Sequence, residues 1–230
     1  MTPDPTSSPR RAGDSARLLL RALGELLITT GVVILLFAAY ELWGTGLVTD
    51  REQGRLVETL ERAWREPVRN SSSEGEAAHA EQGSGIAVMR IPALGADWSK
   101  VVVEGTGREE LKKGPGRMAG TGDFGKVGNT VISGHRTTYG APFVNLDRLV
   151  SGDSILVETK EAIFTYRVYD SEVVRPTDVA VALPVPRRPG AAPTRSLLTL
   201  TTCNPKYSAR ERLIVYAELS ESRPKPPASG

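Results

Sequence analysis

One cysteine, Cys203, occurs in the 230 residues. It ends a β-like run, SLLTLTT, and is followed at once by Asn204 and Pro205, a pair ill suited to continuing a ladder. Nine residues further on, Arg212 opens the next such run, RLIVYAEL. If these runs are antiparallel neighbours, the thiol and the guanidinium stand side by side at one end of a sheet. His135 likewise closes a run, in NTVISGHRTTYG. Three strand ends can therefore meet on one rim and bring a thiol, an imidazole and a fixed cation together. That set suits acyl transfer. A thiolate attacks a carbonyl carbon, and an imidazole manages the protons of nucleophile and leaving amine. A guanidinium, charged at any working pH, holds the substrate backbone or neutralises the oxyanion of the tetrahedral intermediate. With reference values near about 8.5 for Cys and about 6.5 for His, thiol and neutral imidazole are the commoner pair at about pH 7.

Other chemistries find little support. A single cysteine excludes an intramolecular disulfide and a thiolate metal cluster, and two histidines, His79 and His135, cannot build a three-imidazole zinc site. A lone cysteine is ordinarily a small buried hydrophobe. Outside the cell an unpaired thiol is an oxidation liability, so there it tends to be deeply buried or chemically employed. The formal net charge is +2 and no basic stripe is interleaved with aromatics, so no nucleic-acid partner is expected. GPGRMAGTG (114–122) lacks the lysine-hydroxyl ending of a phosphate loop and reads as a turn-rich loop. Glu104, Glu109 and Glu110 are candidate Ca²⁺ ligands but fit a solvated face better, so neither metal nor cofactor is expected. His79 falls in a polar segment and reads as an exposed linker histidine.

Stepping from these residues to the elements that must carry them, the chain divides into five stretches. Residues 1–25 are polar and basic, with Arg10, Arg11, Arg17 and Arg21. Residues 26–48 form an apolar run long enough to cross a bilayer as a helix, too long for a signal-peptide core, and apolar all round rather than amphipathic. The arginines on its N-terminal side place the N-terminus in the cytoplasm and the rest outside, with Tyr40 and Trp43 at the outer interface. A single-pass protein of the cell membrane is expected. Residues 49–84 combine a charged segment, with Leu56, Leu60, Ala63 and Trp64 at helical spacing, and a Ser/Glu/Gly-rich flexible linker. Residues 85–220 carry seven runs rich in Val, Ile, Thr and Tyr, at 86–91, 98–104, 129–134, 153–159, 162–174, 196–202 and 212–219. Short helices are expected only at 108–113 and 143–149. Such a pattern indicates an all-β domain, a closed or nearly closed antiparallel barrel of about eight strands. Residues 221–230 are Pro-rich and read as a disordered tail.

Two stretches resemble the sortase family. TLTTCNPKYSARERLIVYAEL (199–219) is similar to the signature in which a TLxTC strand precedes the catalytic Arg on the next strand. LKKGPGRMAGTGDFGKVGNTVISGHRTTYGAPFVNLDRLVSGDSI (111–155) resembles the segment that carries the family's catalytic His. The resemblance extends from about residue 86 to 219 and is closest to class E sortases of high-GC Gram-positive bacteria. It implies a sortase barrel, with Cys203 as acyl-forming nucleophile, His135 as general acid/base, Arg212 as substrate and oxyanion cation, and Thr202 as a substrate-positioning residue. It further implies cleavage of a C-terminal LAxTG-like sorting signal between Thr and Gly. The partners implied are secreted proteins bearing that signal and an amine of the lipid-linked peptidoglycan precursor. Class E members often carry a His-Tyr pair after GPG, and that Tyr is implicated in preferring Ala in the signal. Here Arg117 and Met118 stand there, which leaves an LPxTG-like signal open, with Tyr139 a substitute hydroxyl. The contrasting expectations are a non-catalytic tethered barrel with an inert cysteine, and a plain thiol endopeptidase.

Overall fold

The structure, a computed structural model, describes residues 11–65 and 80–225. His79, most of the expected linker and the last five residues of the expected tail lie outside the described residues. The chain separates into two compact units, Met1–Gly44 and Thr45–Gly230.

In the first unit, helix α1 (Arg11–Ala39) runs into a π-helical turn, Tyr40–Gly44. Its stretch Ala16–Ala39 is long and apolar enough to cross a membrane, with a mean hydropathy of 2.2. The expected span ended at Val48. Thr45 and Thr49 are instead buried in the second unit, so the four residues from Thr45 to Val48 belong to a new helix.

That helix, α2 (Thr45–Arg65), starts five residues before the charged segment, Asp50–Arg69, in which a short helix was expected. It packs on the barrel through a stripe of Thr45, Thr49, Gln53 and Leu60, spaced at multiples of about one turn. Three of the four are polar, which is why an apolar period did not reveal them.

The barrel comprises β1 (Gly85–Arg90), β2 (Ser99–Glu104), helix α3 (Arg108–Lys113), β3 (Gly116–Arg117), β4 (Gly128–Ser133), β5 (Ser154–Glu158), β6 (Ala162–Val174), β7 (Ser196–Asn204) and β8 (Glu211–Pro224). It closes in the order β1-β2-β3-β4-β7-β8-β6-β5. The all-β, eight-strand expectation is met, but the sheet is not wholly antiparallel: β2 pairs with β3, and β4 with β7, in parallel. The expected helix at 143–149 is a single 3₁₀ turn, Leu146–Arg148. Glu221–Pro224, read as the start of a tail, extend β8 and pair with Ala162–Thr165. Strand alternation fills the interior with Met89, Ile132, Ile155, Tyr166, Leu198, Leu200 and Leu213, joined by Phe143 and Leu146 from the loop after β4.

Candidate active site

Cys203 and Arg212 are direct partners in the antiparallel ladder of β7 and β8. The ladder runs one residue past Cys203, to the pair Asn204 and Glu211, before the cis Asn204–Pro205 bond ends it. On the other flank β4 runs parallel to β7, with Ser133 opposite Thr201. Gly134 N then donates to Thr201 O at 3.1 Å, so the chain leaves β4 alongside the end of β7 and delivers His135 to the level of Cys203. The three expected strand ends do share one rim.

Parity of the strands decides which neighbours face the same way. Val131 and Ser133 of β4, Thr201 of β7, and Arg212 and Ile214 of β8 line one cleft of ≈ 250 Å³, whereas Ile132 and Leu213 between them point into the core. Met118 lines the same cleft. The opposite wall is the connection between β6 and β7, residues 174–182. Cys203 shares the parity of Thr201 and is half-buried, while Arg212 donates to the carbonyls of Ala209 and Glu211 at 3.0 and 2.9 Å.

Thr202, expected to touch substrate, has the opposite parity. It is 3% exposed and its Oγ1 donates to Gly134 O at 2.8 Å, so it latches β7 to the chain leading into His135, and Thr201 takes the cleft position. Tyr139, expected as a substitute hydroxyl, does not line the cleft. Its ring lies 4.9 Å from the His135 ring, tilted by 41°. Arg117 turns away to a buried ion pair with Glu104 at 2.7 Å.

Burial lowers the pKa of His135 below its ordinary 6.5, so the imidazole is neutral near pH 7 and free to accept a proton. Among the described residues, no group of three or more His, Cys, Asp or Glu is disposed to hold a metal. The expected Ca²⁺ candidates are otherwise engaged where contacts are defined: Glu104 with Arg117 and Glu109 with Lys112.

Two supporting residues escaped the sequence reading. Arg136, next to His135, is 4% exposed. Its Nη1 donates to Cys203 O at 3.2 Å and to Asn204 Oδ1 at 2.8 Å, and its Nη2 pairs with Asp147 at 3.2 Å. Together with Thr202 it makes a reciprocal clasp: the residue before the thiol grips the residue before the imidazole, and the residue after the imidazole grips the thiol residue. Asn129, 2% exposed, donates to the carbonyls of Val181 and Leu183 at 3.2 and 3.0 Å and accepts from Thr199 Oγ1 at 2.7 Å, tying the cleft wall to the barrel. The same wall is fastened by Arg187, whose guanidinium pairs with Glu172 and Asp178 and holds both carboxyls below the usual carboxylate range. No local pattern in the sequence marks Arg136 or Asn129, because their partners on β7 and in the cleft wall lie more than fifty positions away.

Comparison with known proteins agrees with this architecture. The sortase domain model matches residues 89–220. The chain is 34% identical over 223 residues to sortase SrtE1 of Streptomyces coelicolor, an alignment covering 94% of this chain and 61% of SrtE1. It is also 34% identical over 225 residues to sortase SrtE2 of the same organism, covering 91% of this chain and 85% of SrtE2. Among solved structures, sortase E from Streptomyces avermitilis superposes with a TM-score of 0.58 at 42% identity, covering 65% of this chain and 96% of that one. Sortase E1 from Streptomyces coelicolor, solved with a tripeptide in the active site, gives a TM-score of 0.58 at 35% identity over 64% of this chain and 95% of its own.

Proposed function

The chain belongs to the sortase family, and from that premise we propose that it is a membrane-anchored cysteine transpeptidase of the class E kind, working through an acyl-Cys203 intermediate. The observation that carries the proposal is the pairing of Cys203 with Arg212 at the end of a ladder whose other flank delivers His135, beside a cleft that ends on Arg212.

Neutral His135 takes the Cys203 thiol proton, and the thiolate attacks the carbonyl carbon of the Thr in the sorting signal. Arg212 meets the charge that develops on the carbonyl oxygen. Collapse breaks the Thr–Gly C–N bond while the imidazolium returns its proton to the departing glycine amine, leaving a thioester. An incoming amine attacks the thioester, loses its proton to His135, and releases Cys203. The amine is that of the lipid-linked peptidoglycan precursor, and the acyl groups are secreted proteins with a C-terminal signal.

The cleft, lined by Met118, Val131, Val179 and Ile214, suits the short apolar side chains of an LAxTG or LPxTG signal. Met118 offers no hydroxyl, so discrimination between Ala and Pro rests on shape. The apolar stretch of α1 serves as the anchor, with the basic N-terminus in the cytoplasm and the barrel outside.

Mass spectrometry of the full chain in detergent, incubated with LAxTG and LPxTG peptides with and without an amine, tests the reading. A Cys203-linked acyl adduct, and an amide product lost in Cys203→Ala, are expected. A product that stays the free acid whatever amine is added would make the protein an endopeptidase. An unmodified thiol with intact peptides would overturn the proposal.

A further inference from the structure

The loop that follows His135 is conformationally unusual. Tyr139, Gly140 and Ala141 have φ of 51°, 70° and 40°, three successive residues in the left-handed region. Two of the three carry a Cβ, for which this region is unfavourable. Within the loop, Ala141 N donates to Thr138 O at 2.9 Å and Phe143 N donates to His135 O at 3.1 Å. From outside the loop Trp98 Nε1 donates to Pro142 O at 3.3 Å, and α2 bears on the left-handed residues themselves. Thr45 Oγ1 accepts from Tyr139 N at 3.3 Å. A methyl group on Gly46 would stand 4.0 Å from the backbone of Gly140, and one on Gly140 would stand 3.3 Å from Thr49 Cγ2. A single methyl group would therefore fill the space between the backbones of Gly46 and Gly140, and the Tyr139 ring of the same loop lies on the His135 ring.

The N-terminal half of the helix is itself fixed by polar bonds, with buried Leu60 adding apolar packing further along. Thr49 Oγ1 donates to Lys112 O at 2.9 Å. Gln53 Nε2 donates to Lys113 O at 2.7 Å and Val101 O at 3.1 Å, and its Oε1 accepts from Val101 N at 2.7 Å. Apolar side chains would attach a helix to a barrel equally well. Buried polar groups with every bond made add direction, since each bond fixes the helix along its axis as well as against the surface.

We propose that the first turn of α2, through Thr45, Gly46 and Thr49, is a positioning element for His135: it holds the left-handed loop that sets the imidazole against Cys203. The proposal rests on the transpeptidase reading above. Turnover then depends on a helix outside the barrel, one that begins at the residue following the unit that carries the candidate membrane span.

The test compares two double variants of the full chain in detergent. Thr45→Val with Thr49→Val keeps shape and removes the hydroxyls; Thr45→Ser with Thr49→Ser keeps the hydroxyls. Peptide cleavage gives kcat and KM, thermal melting gives stability, and NMR of the imidazole C–H signals follows the two histidines, with His79 as internal reference. The valine pair is expected to lose about tenfold to a hundredfold in kcat with KM unchanged, and to displace or broaden the His135 signal alone. The serine pair is expected to stay near the native rate. A Gly46→Leu variant, a better helix former by about 1 kcal/mol, is expected to wedge helix from loop and lower kcat without lowering the melting temperature. Native kcat and an unmoved His135 signal in the valine pair would overturn the proposal. So would valine and serine pairs that fall together with their melting temperatures. If the native chain cleaves no peptide, the transpeptidase reading has failed, and the His135 signal still decides the positioning claim.

Discussion

Cys203 and Arg212 are held in place in a different way from His135. The first two are rungs of one antiparallel ladder, so their proximity follows from backbone register and alternation, and every hydrogen bond of β7 and β8 maintains it. His135 lies two residues beyond β4, in a loop with three left-handed residues. Its place depends on side chains: Thr202 gripping Gly134, Arg136 gripping Cys203, and α2 bearing on Tyr139 and Gly140. A ladder places a nucleophile cheaply and rigidly. A clasped loop can be adjusted by residues that never meet the substrate.

That contrast can be broken from either side. The largest effect expected is from His135→Ala, which removes the proposed proton carrier and should lower kcat by roughly 10²–10⁴-fold while leaving slow alkylation of Cys203 measurable. Next comes Arg212→Lys, which keeps the charge and forfeits the planar fork; kcat/KM should fall by about 10²-fold with the melting temperature unchanged. Arg136→Met attacks the clasp. It leaves the Cys203 carbonyl and Asn204 without their donor and should cost about 1–3 kcal/mol of stability, seen as a lower denaturant midpoint, together with a fall in kcat.

The pH dependence sharpens the same comparison. Burial depresses the His135 pKa below 6.5, so the folded state favours the neutral ring. The stability linked to it is full above pH 6.5 and is lost as pH falls through the lower folded-state value. The acid limb of kcat/KM should therefore lie below pH 6.5 in a peptide-cleavage profile, and should move up toward 6.5 when the loop is loosened by the valine pair. Smallest is Met118→Tyr in the cleft, which should shift the preference between LAxTG and LPxTG peptides toward Ala by about tenfold or less in competition assays.

Legibility in the sequence follows the same division. The Cys203–Arg212 pair could be foreseen because both residues flank one short connection between two β-like runs, and local pattern fixes local pairing. That His135 shares the rim was readable from its run ending in Gly-His. Its flank was not, since the parallel pairing of β4 with β7 joins strands almost seventy positions apart and leaves no local trace. Thr202 was expected from the sortase resemblance to help position substrate, whereas alternation turns its side chain inward and gives Thr201 the cleft. Thr45 fell inside the expected span and Thr49 and Gln53 in the charged stretch after it, and only their burial shows them to be one face of α2. The two-residue β3 hid inside a glycine-rich stretch that reads as turn.

The closed order of the barrel bears on how a guest chain is treated. With β5 paired to β1, the described strands close on themselves, and among the described residues no terminal strand of the barrel is left for an extended peptide to join. On the transpeptidase reading, recognition then comes from side-chain pockets and from Arg175 and Arg212 in the cleft lining, without a run of backbone hydrogen bonds to hold the visitor. A peptide held that way is gripped near its scissile bond and loosely elsewhere, so the cleaved fragment has little to detain it and the thioester is left open to the next amine.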